Sequence, residues 1–107
     1  MPIPPFDEFV LLHNNICRAV NDPRRLQILY ALAEHPRNVT SLAEAVEAPQ
    51  PTVSRHLNVL RQRHLVTATR DGASVIYRLA DARIIEVLET MRQVLRDSLD
   101  RQQTLVD

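Results

Sequence analysis

Residues 65–79 constrain the fold more than any other part of this chain. The apolar residues there stop following the helical period, and the runs 65–70 and 74–79 are rich in β-prone residues. Asp71-Gly72 stands between the two runs, and Gly72 is the only glycine of the chain. An Asp-Gly pair in this position is typical of a hairpin with a type I′ turn, in which both central residues have a positive φ. The sequence therefore predicts one two-stranded β-hairpin.

The chain before the hairpin begins with two helical patterns. Apolar residues follow a roughly helical spacing over residues 6–20. Asp22 suits the N-cap of a second helix because its carboxylate accepts hydrogen bonds from free backbone N–H groups, and Pro23 suits the first turn. We expect this helix to end at His35-Pro36, since a residue that precedes proline avoids the helical region.

Three further helices are expected. Thr40 is predicted as the N-cap of a short third helix, and Pro51 suits the first turn of a fourth helix that runs to about Arg63. Asp81 is predicted to cap a last helix from 82 to about 103. Apolar stripes are expected on the second, fourth and last helices, at Leu26, Ile28, Leu29 and Leu32, at Val53, Leu57 and Leu60, and at Ile84, Val87, Leu88, Met91, Val94, Leu95 and Leu99.

The order of these elements is four helices, a hairpin and a final helix. A three-helix core with a two-stranded wing accounts for residues 22–80, which predicts a winged helix-turn-helix fold, mainly α with a small β-hairpin. The first and last helices, in 1–21 and 81–107, carry apolar stripes that one subunit of this size cannot bury by itself. We expect residues 1–107 to form a single domain that makes a homodimer through these two helices. The expected interface residues are Phe9, Ile16, Leu88, Met91 and Leu95.

Positive charge is concentrated in the middle of the chain, although the net charge is zero. Residues 50–80 contain five Arg and one Asp, a balance of +4, whereas residues 1–49 and 81–107 each contain four Arg and six acidic residues, a balance of −2. A basic block of this kind is typical of an element that binds the phosphate backbone of nucleic acid. The sequence therefore predicts double-stranded DNA as a partner.

The fourth helix and the hairpin carry the expected DNA contacts. In helix-turn-helix proteins the N-terminal part of the recognition helix enters the major groove. Gln and Arg side chains pair there with base edges, while Ser and Thr more often hold phosphates. Arg70, near the tip of the wing, is expected to reach a phosphate or the minor groove. The expected DNA-binding residues are Gln50, Thr52, Ser54, Arg55, His56, Asn58, Arg70 and Gly72.

Three segments together resemble the ArsR/SmtB family of bacterial winged-helix repressors. They are residues 22–29 (DPRRLQIL), residues 50–61 (QPTVSRHLNVLR), and the hairpin from Leu65-Val66 through Arg70-Asp71-Gly72 to Tyr77-Arg78-Leu79. The resemblance covers about residues 10–100, nearly the whole chain. It implies a dimeric repressor whose recognition helix is residues 50–63 and whose wing is residues 67–78.

The resemblance also points to metal positions, and this chain lacks their usual ligands. Soft-metal members carry a cysteine pair at the start of the third helix, and residues 39–43 contain no cysteine. The zinc positions in the last helix correspond here to Asp81, Arg83, Val94 and Asp97. Two carboxylates without an imidazole make a poor site for Zn²⁺, which prefers nitrogen and sulfur ligands. We therefore expect neither a metal ion nor a cofactor.

His13 and Cys17 are the remaining candidates for an effector site, because their i, i+4 spacing places them on one helix face. Three interpretations stay open: soft-metal binding by this pair, a thiol switch or intersubunit disulfide at Cys17, and a small buried cysteine at the dimer interface beside a surface histidine. The effector, the operator sequence and the direction of regulation are not specified by the sequence.

Other classes of protein fit less well. The chain has no glycine-rich phosphate loop, no nucleophile with a nearby base and no carboxylate pair in an evident pocket, so we do not expect an enzyme. A winged-helix module that binds another protein is the alternative, and the basic block argues against it. No apolar run approaches the ~20 residues that span a bilayer, the N-terminus lacks a signal-peptide pattern, and the single cysteine cannot form an intrachain disulfide. We expect a cytoplasmic protein.

Overall fold

The structure, a computed structural model, describes residues 1–106, with side chains described up to residue 103. The predicted class is confirmed, since five helices and one antiparallel hairpin follow each other in the expected order. Asp107, the last residue of the predicted domain, lies outside the described residues. The elements are α1 (Phe6–Leu12) with a π-helical turn (His13–Cys17), α2 (Pro23–Glu34), α3 (Val39–Val46), α4 (Gln50–Gln62), β1 (Val66–Asp71), β2 (Ser74–Leu79) and α5 (Arg83–Val106).

The start of α2 follows the prediction. Asp22 is the N-cap, and its Oδ1 accepts hydrogen bonds from the backbone N–H groups of Arg24 at 2.8 Å and of Arg25 at 3.2 Å. Pro23 stands in the first turn, where its missing N–H leaves no partner unsatisfied. The helix ends before His35, which has an extended backbone as expected of a residue that precedes proline.

The start of α3 corrects a prediction. Its N-cap is Asn38 and not Thr40, because the Oδ1 of Asn38 accepts a hydrogen bond from the backbone N–H of Ser41 at 2.8 Å. Asn is a stronger N-cap than Thr, and it places the helix start two residues earlier. At the other end Glu47 takes a left-handed backbone conformation, with φ at 53°, and turns the chain sharply toward α4.

One apolar core joins α2, α3, α4 and the hairpin. The fully buried side chains come from all four of these parts: Ile28, Leu29, Leu42, Val53, Leu57, Leu60 and Val66. The predicted inward stripes of α2 and α4 are thereby confirmed, with Leu26 only partly buried at the edge of the core. Arg37, between α2 and α3, pairs its backbone with Tyr77 of β2. This bridge fixes the wing to the helical core.

The turn of the hairpin differs from the expected type I′. Pairing continues to Asp71 opposite Ser74, so Asp71 is the last residue of β1 and the two-residue loop is Gly72-Ala73. Gly72 has φ at 63°, whereas Ala73 is not among the described residues with positive φ. A positive φ at the first loop residue alone is the pattern of a type II′ turn, which places glycine there. The prediction of a hairpin was right, and its turn type was wrong.

The N-terminal segment is not the single regular helix that the spacing predicted over 6–20. A π-helical turn follows α1, closed by a bond from the N–H of Arg18 to the carbonyl of His13 at 2.9 Å. The side-chain amide of Asn15 donates to the carbonyl of Leu11 at 2.8 Å and competes there with the regular helical ladder. Within the part of the chain that the structure describes, α1 packs against no other element than this turn.

The last helix projects from the core along most of its length. Asp81 accepts a hydrogen bond from the backbone N–H of Arg83 at 2.9 Å, in agreement with its predicted capping role. Leu88 corrects the predicted interface, because it is only 4% exposed and packs within the subunit's own core. The other four interface candidates, Phe9, Ile16, Met91 and Leu95, are exposed. Among the described residues, no helix combines the length and the apolar character that crossing a membrane would require.

Candidate nucleic-acid interface

The outer face of α4 presents a row of polar side chains. Gln50, Ser54, Arg55 and Asn58 are exposed, while Val53 and Leu57 anchor the opposite face in the core. Thr52 is half-buried. Gln50 donates from its amide to the hydroxyl of Thr40 at 3.3 Å, which links the start of α4 to the start of α3. The structure therefore brings most of the predicted major-groove residues onto one exposed face.

A groove of about 430 Å³ separates this face from the wing. Tyr77 of β2 and Arg61 of α4 line it together with Ser54, Arg55 and Asn58. Arg61 and Tyr77 were not among the predicted DNA-binding residues. Arg61 follows Ser54 by seven residues, or about two helical turns, and this spacing was a usable signal for its place on the same face. Whether Tyr77 lines the groove depends on the register of the hairpin, and no local sequence pattern indicated its position.

The start of α4 carries no side-chain cap. Pro49 occupies the N-cap position, and no side chain accepts from the N–H groups of the first turn. These groups concentrate partial positive charge at the end of the helix that bears Gln50. An anionic group of a partner would therefore be favoured close to this end of the exposed face.

The wing places its basic residues in solvent. Arg70 is exposed on β1 beside the turn, and Gly72 lies at the exposed tip. Arg78 on β2 is also exposed and donates to the hydroxyl of Thr69 at 2.8 Å across the hairpin. The two predicted wing residues therefore lie at the end of the hairpin that is farthest from its bridge to Arg37.

The arginines of the basic block of residues 50–80 are all exposed, and four of the five lie on α4 or the wing. Arg55 and Arg61 lie on α4 and Arg70 and Arg78 on the hairpin, whereas Arg63 follows α4 and lines a separate groove near the start of α5. None of the five is within ion-pairing distance of a carboxylate in the part of the chain that the structure describes. Elsewhere Arg37, Arg83 and Arg92 do form ion pairs with neighbouring acids. Four exposed arginines without an ion pair thus lie on the recognition helix and the wing.

His56 is the predicted DNA-binding residue that the structure does not place on this face. It is 8% exposed and lies on the inner side of α4, where Arg25 and Asp22 surround its ring. The reason is its spacing, because His56 follows Val53 by three residues and precedes Leu60 by four on the same inward stripe. It therefore cannot contact a base edge in this conformation.

The two effector candidates lie on the π-helical turn. His13 and Cys17 are its first and last residues, and both are exposed. Among the described residues, no group of three or more His, Cys, Asp or Glu side chains is arranged to hold a metal ion. Asp81, which corresponds to a metal position of the resembled family, instead binds the guanidinium of Arg83 at 2.7 Å. This hydrogen-bonded pair lowers the pKa of Asp81 to about 2.

A three-helix core with an exposed polar helix beside a basic hairpin defines a winged helix-turn-helix protein. A profile of the bacterial regulatory protein arsR family matches residues 22–68. The KmtR regulator of Mycobacterium tuberculosis is 38% identical over 98 residues, which cover 92% of this chain and 68% of that protein. The chain belongs to the arsR family of bacterial regulatory proteins. Membership agrees with the predicted resemblance and with the expectation of a regulator rather than an enzyme.

Two further proteins illustrate the similarity. The SmtB repressor of Mycobacterium tuberculosis is 38% identical over 87 residues, which cover 81% of this chain and 64% of that repressor. The chain thus spans less than two thirds of the length of this relative. The solution structure of the homodimeric winged helix-turn-helix DNA-binding domain of Mb0332 from Mycobacterium bovis is 29% identical, with a TM-score of 0.76 over 94% of this chain and 95% of that domain.

Proposed function

We propose that this protein is a cytoplasmic, homodimeric transcriptional repressor that binds an inverted-repeat operator in duplex DNA. The observation that carries the proposal is the exposed face of α4, whose unpaired arginines and polar side chains lie beside a basic wing. Regulators and repressors among the relatives, and the DNA-binding domain of Mb0332, support the same function.

Each polar side chain has a proposed role. Arg55 and Gln50 have the paired hydrogen-bonding geometry that matches guanine and adenine edges, and Asn58 lies further along the same face. Ser54 and Thr52 suit phosphate oxygens, as does the free N-terminal end of α4.

The wing residues Arg70 and Gly72 are proposed to follow the sugar-phosphate backbone or the minor groove. Gly72 has no side chain that would hold the backbone of the wing away from the DNA. Arg61 is added to the predicted set as a phosphate contact, on account of its place in the groove.

The homodimer rests on the surfaces that the subunit leaves uncovered. α1 has no buried residue, and Phe9 and Ile16 are exposed on the N-terminal segment. Met91 and Leu95 expose more than half of their surface on α5. The Cα radius of gyration is 16.5 Å, against about 13 Å for a compact domain of this length. A second subunit that packs against both helices would bury this apolar surface and complete the fold.

Salt dependence tests DNA binding against the alternative of a protein-interaction module. A duplex that binds the wild-type protein is first selected from a random pool of DNA. Its affinity for the wild-type protein is then measured at several salt concentrations. A DNA-binding protein loses affinity steeply as salt rises, with a slope of log K on log salt of about −0.9 for each phosphate contacted. Arg70→Ala should reduce the slope by about 2 per dimer and weaken binding to all duplexes equally. Failure to select any duplex would favour the interaction module.

A further inference from the structure

His56 occupies an unusual position for a titratable residue, since it lies on the core-facing side of the recognition helix. It is one of four buried residues of α4, and the other three are apolar. Its ring faces the N-terminal end of α2, where Arg25 and the capping carboxylate of Asp22 lie. A polar group so deeply buried needs partners, and here the partners belong to another helix.

The contact with Arg25 determines the protonation of the ring. The Nη1 atom of Arg25 lies 3.2 Å from Nδ1 of His56. A guanidinium group can only donate hydrogen bonds, so Nδ1 must accept and cannot carry a proton. The ring is therefore neutral, with its proton on Nε2, which faces Oδ1 of Asp22 across 4.0 Å. Protonation of Nδ1 would replace this hydrogen bond with a clash between two donors.

The guanidinium of Arg25 connects three parts of the subunit. Its Nε donates to the carbonyl of Ala19 at 2.6 Å, and its Nη2 donates to the carbonyl of Arg18 at 3.2 Å. These two carbonyls lie directly after the π-helical turn, in the segment that leads from α1 to α2. Arg25 thus holds the end of the N-terminal segment with two donors and the recognition helix with a third.

We propose that His56 is a positioning residue for DNA binding, whose neutral ring accepts the hydrogen bond of Arg25 and thereby sets the recognition helix relative to the N-terminal segment. The proposal rests on the proposed function of α4 in DNA binding. His56 itself does not touch DNA. It acts by fixing the inner side of the helix whose outer side carries Ser54, Arg55 and Asn58.

The charges around the ring favour this neutral form. Burial of the ring has the largest effect on the pKa of His56, and it lowers that pKa. The carboxylate of Asp22 opposes this effect and raises the pKa, while the positive charges of Arg25, Arg55 and Arg24 lower it. The net direction is below the usual value of 6.5, so the accepting form prevails at neutral pH and is lost only as the solution becomes acidic. DNA affinity should then contain an acid-sensitive component that belongs to this ring.

Two substitutions separate positioning from mere packing. His56→Leu fills a similar volume but accepts no hydrogen bond. His56→Asn can place its carbonyl oxygen near the position of Nδ1 and does not titrate. At neutral pH, His56→Leu should bind the selected duplex roughly tenfold more weakly, while His56→Asn should bind nearly as the wild type does. As the pH falls below about 6.5 the wild type should lose affinity relative to His56→Asn, because the other three histidines are common to both proteins.

The measurements are duplex affinity against pH, with the melting temperature and dimer fraction of each variant as controls, and the nitrogen chemical shifts of the His56 ring in the free protein. Wild-type affinity equal to that of His56→Leu, or the same pH profile in the wild type and His56→Asn, would overturn the proposal. A proton found on Nδ1 would overturn it as well, even if His56→Leu fails to fold. No duplex binding by the wild type would instead remove the proposed function on which it rests.

Discussion

Arg55 is the residue on which base recognition depends most in this account. It lies one turn into α4, is exposed, and lines the groove toward the wing. Arg55→Ala should weaken binding to the selected operator by about 1–3 kcal/mol and relax the preference at one base pair. Competition with single-base operator variants measures both effects. Arg63→Ala, which removes the same charge at the C-terminal end of α4, is the matched control.

Two other outcomes of the Arg55→Ala experiment would be informative. An equal loss on operator and random duplex would reassign Arg55 from base recognition to phosphate contact. Unchanged affinity for the operator would contradict the assignment of α4 as the recognition helix.

Asp81 offers a pH-dependent prediction at the start of α5. The hydrogen bonds from the side chain and the backbone of Arg83 lower its pKa from 3.8 to about 2. Since the folded-state pKa is the lower one, the stabilisation by this pair is fully present above about pH 4 and is lost as the pH falls through about 2. The carboxyl ¹³C shift of Asp81, followed during acid titration, should give a midpoint near 2. Arg83→Met should raise that midpoint, and a wild-type midpoint near 3.8 would refute the pairing.

The role of an individual residue could be predicted from the sequence where that role depends only on neighbouring residues of the chain. Asp22 caps α2 as expected because the cap involves only neighbouring backbone N–H groups. His56 was assigned to the wrong face because its residue type suggested a contact, although its spacing followed the buried stripe. Its partner Arg25 is 31 positions away along the chain, and only the packing of α2 against α4 brings the two together.

Gly72 carries the turn of the wing and allows a test of that element. A Cβ there would meet no atom within 4 Å, so the cost of Gly72→Ala comes only from the positive φ of 63°. We expect a loss of about 1–2 kcal/mol in the free energy of unfolding, measured by chemical denaturation. Gly72→Asn should lose less, because Asn adopts a positive φ more readily. A Gly72→Ala protein as stable as the wild type would contradict the turn assignment.

At the scale of elements, order and type followed from the sequence, and details of their ends did not. The hairpin was predicted from β-prone runs around Asp71-Gly72, yet strand pairing extended through Asp71 and moved the turn by one residue. Thr40 and Asn38 are both acceptable caps, and it is the side chain of Asn38 that accepts the capping hydrogen bond. The π-helical turn is closed by the backbone bond from Arg18 to His13 and is accompanied by a side-chain hydrogen bond of Asn15, and apolar periodicity reveals neither.

We propose that the molecule is complete only as a dimer. The apolar stripe of α5 then has two roles, since one part packs in the subunit's own core and the other part is exposed for the second subunit. Met91 is 57% exposed, whereas Leu88 is buried in the subunit. Met91→Asp should therefore give a folded monomer that binds operator DNA poorly, while Leu88→Asp should unfold the subunit, because a buried unpaired charge is strongly destabilising. Sedimentation and circular dichroism distinguish these outcomes. Thr90→Asp, which adds the same charge beside the stripe, is the control, and a Met91→Asp protein that stays dimeric would rule out this interface.

Hydroxyl-radical footprinting of the wild-type protein on its selected operator examines the proposed dimeric DNA binding in a single experiment, because it reports DNA contact and two-fold symmetry together. A homodimer that places one α4 in each of two major-groove segments should protect two half-sites related by two-fold symmetry, with centres about 10 bp apart. A protected region without two-fold symmetry, or no protection beyond that seen on random duplex, would show that the protein is not a dimeric operator-binding protein.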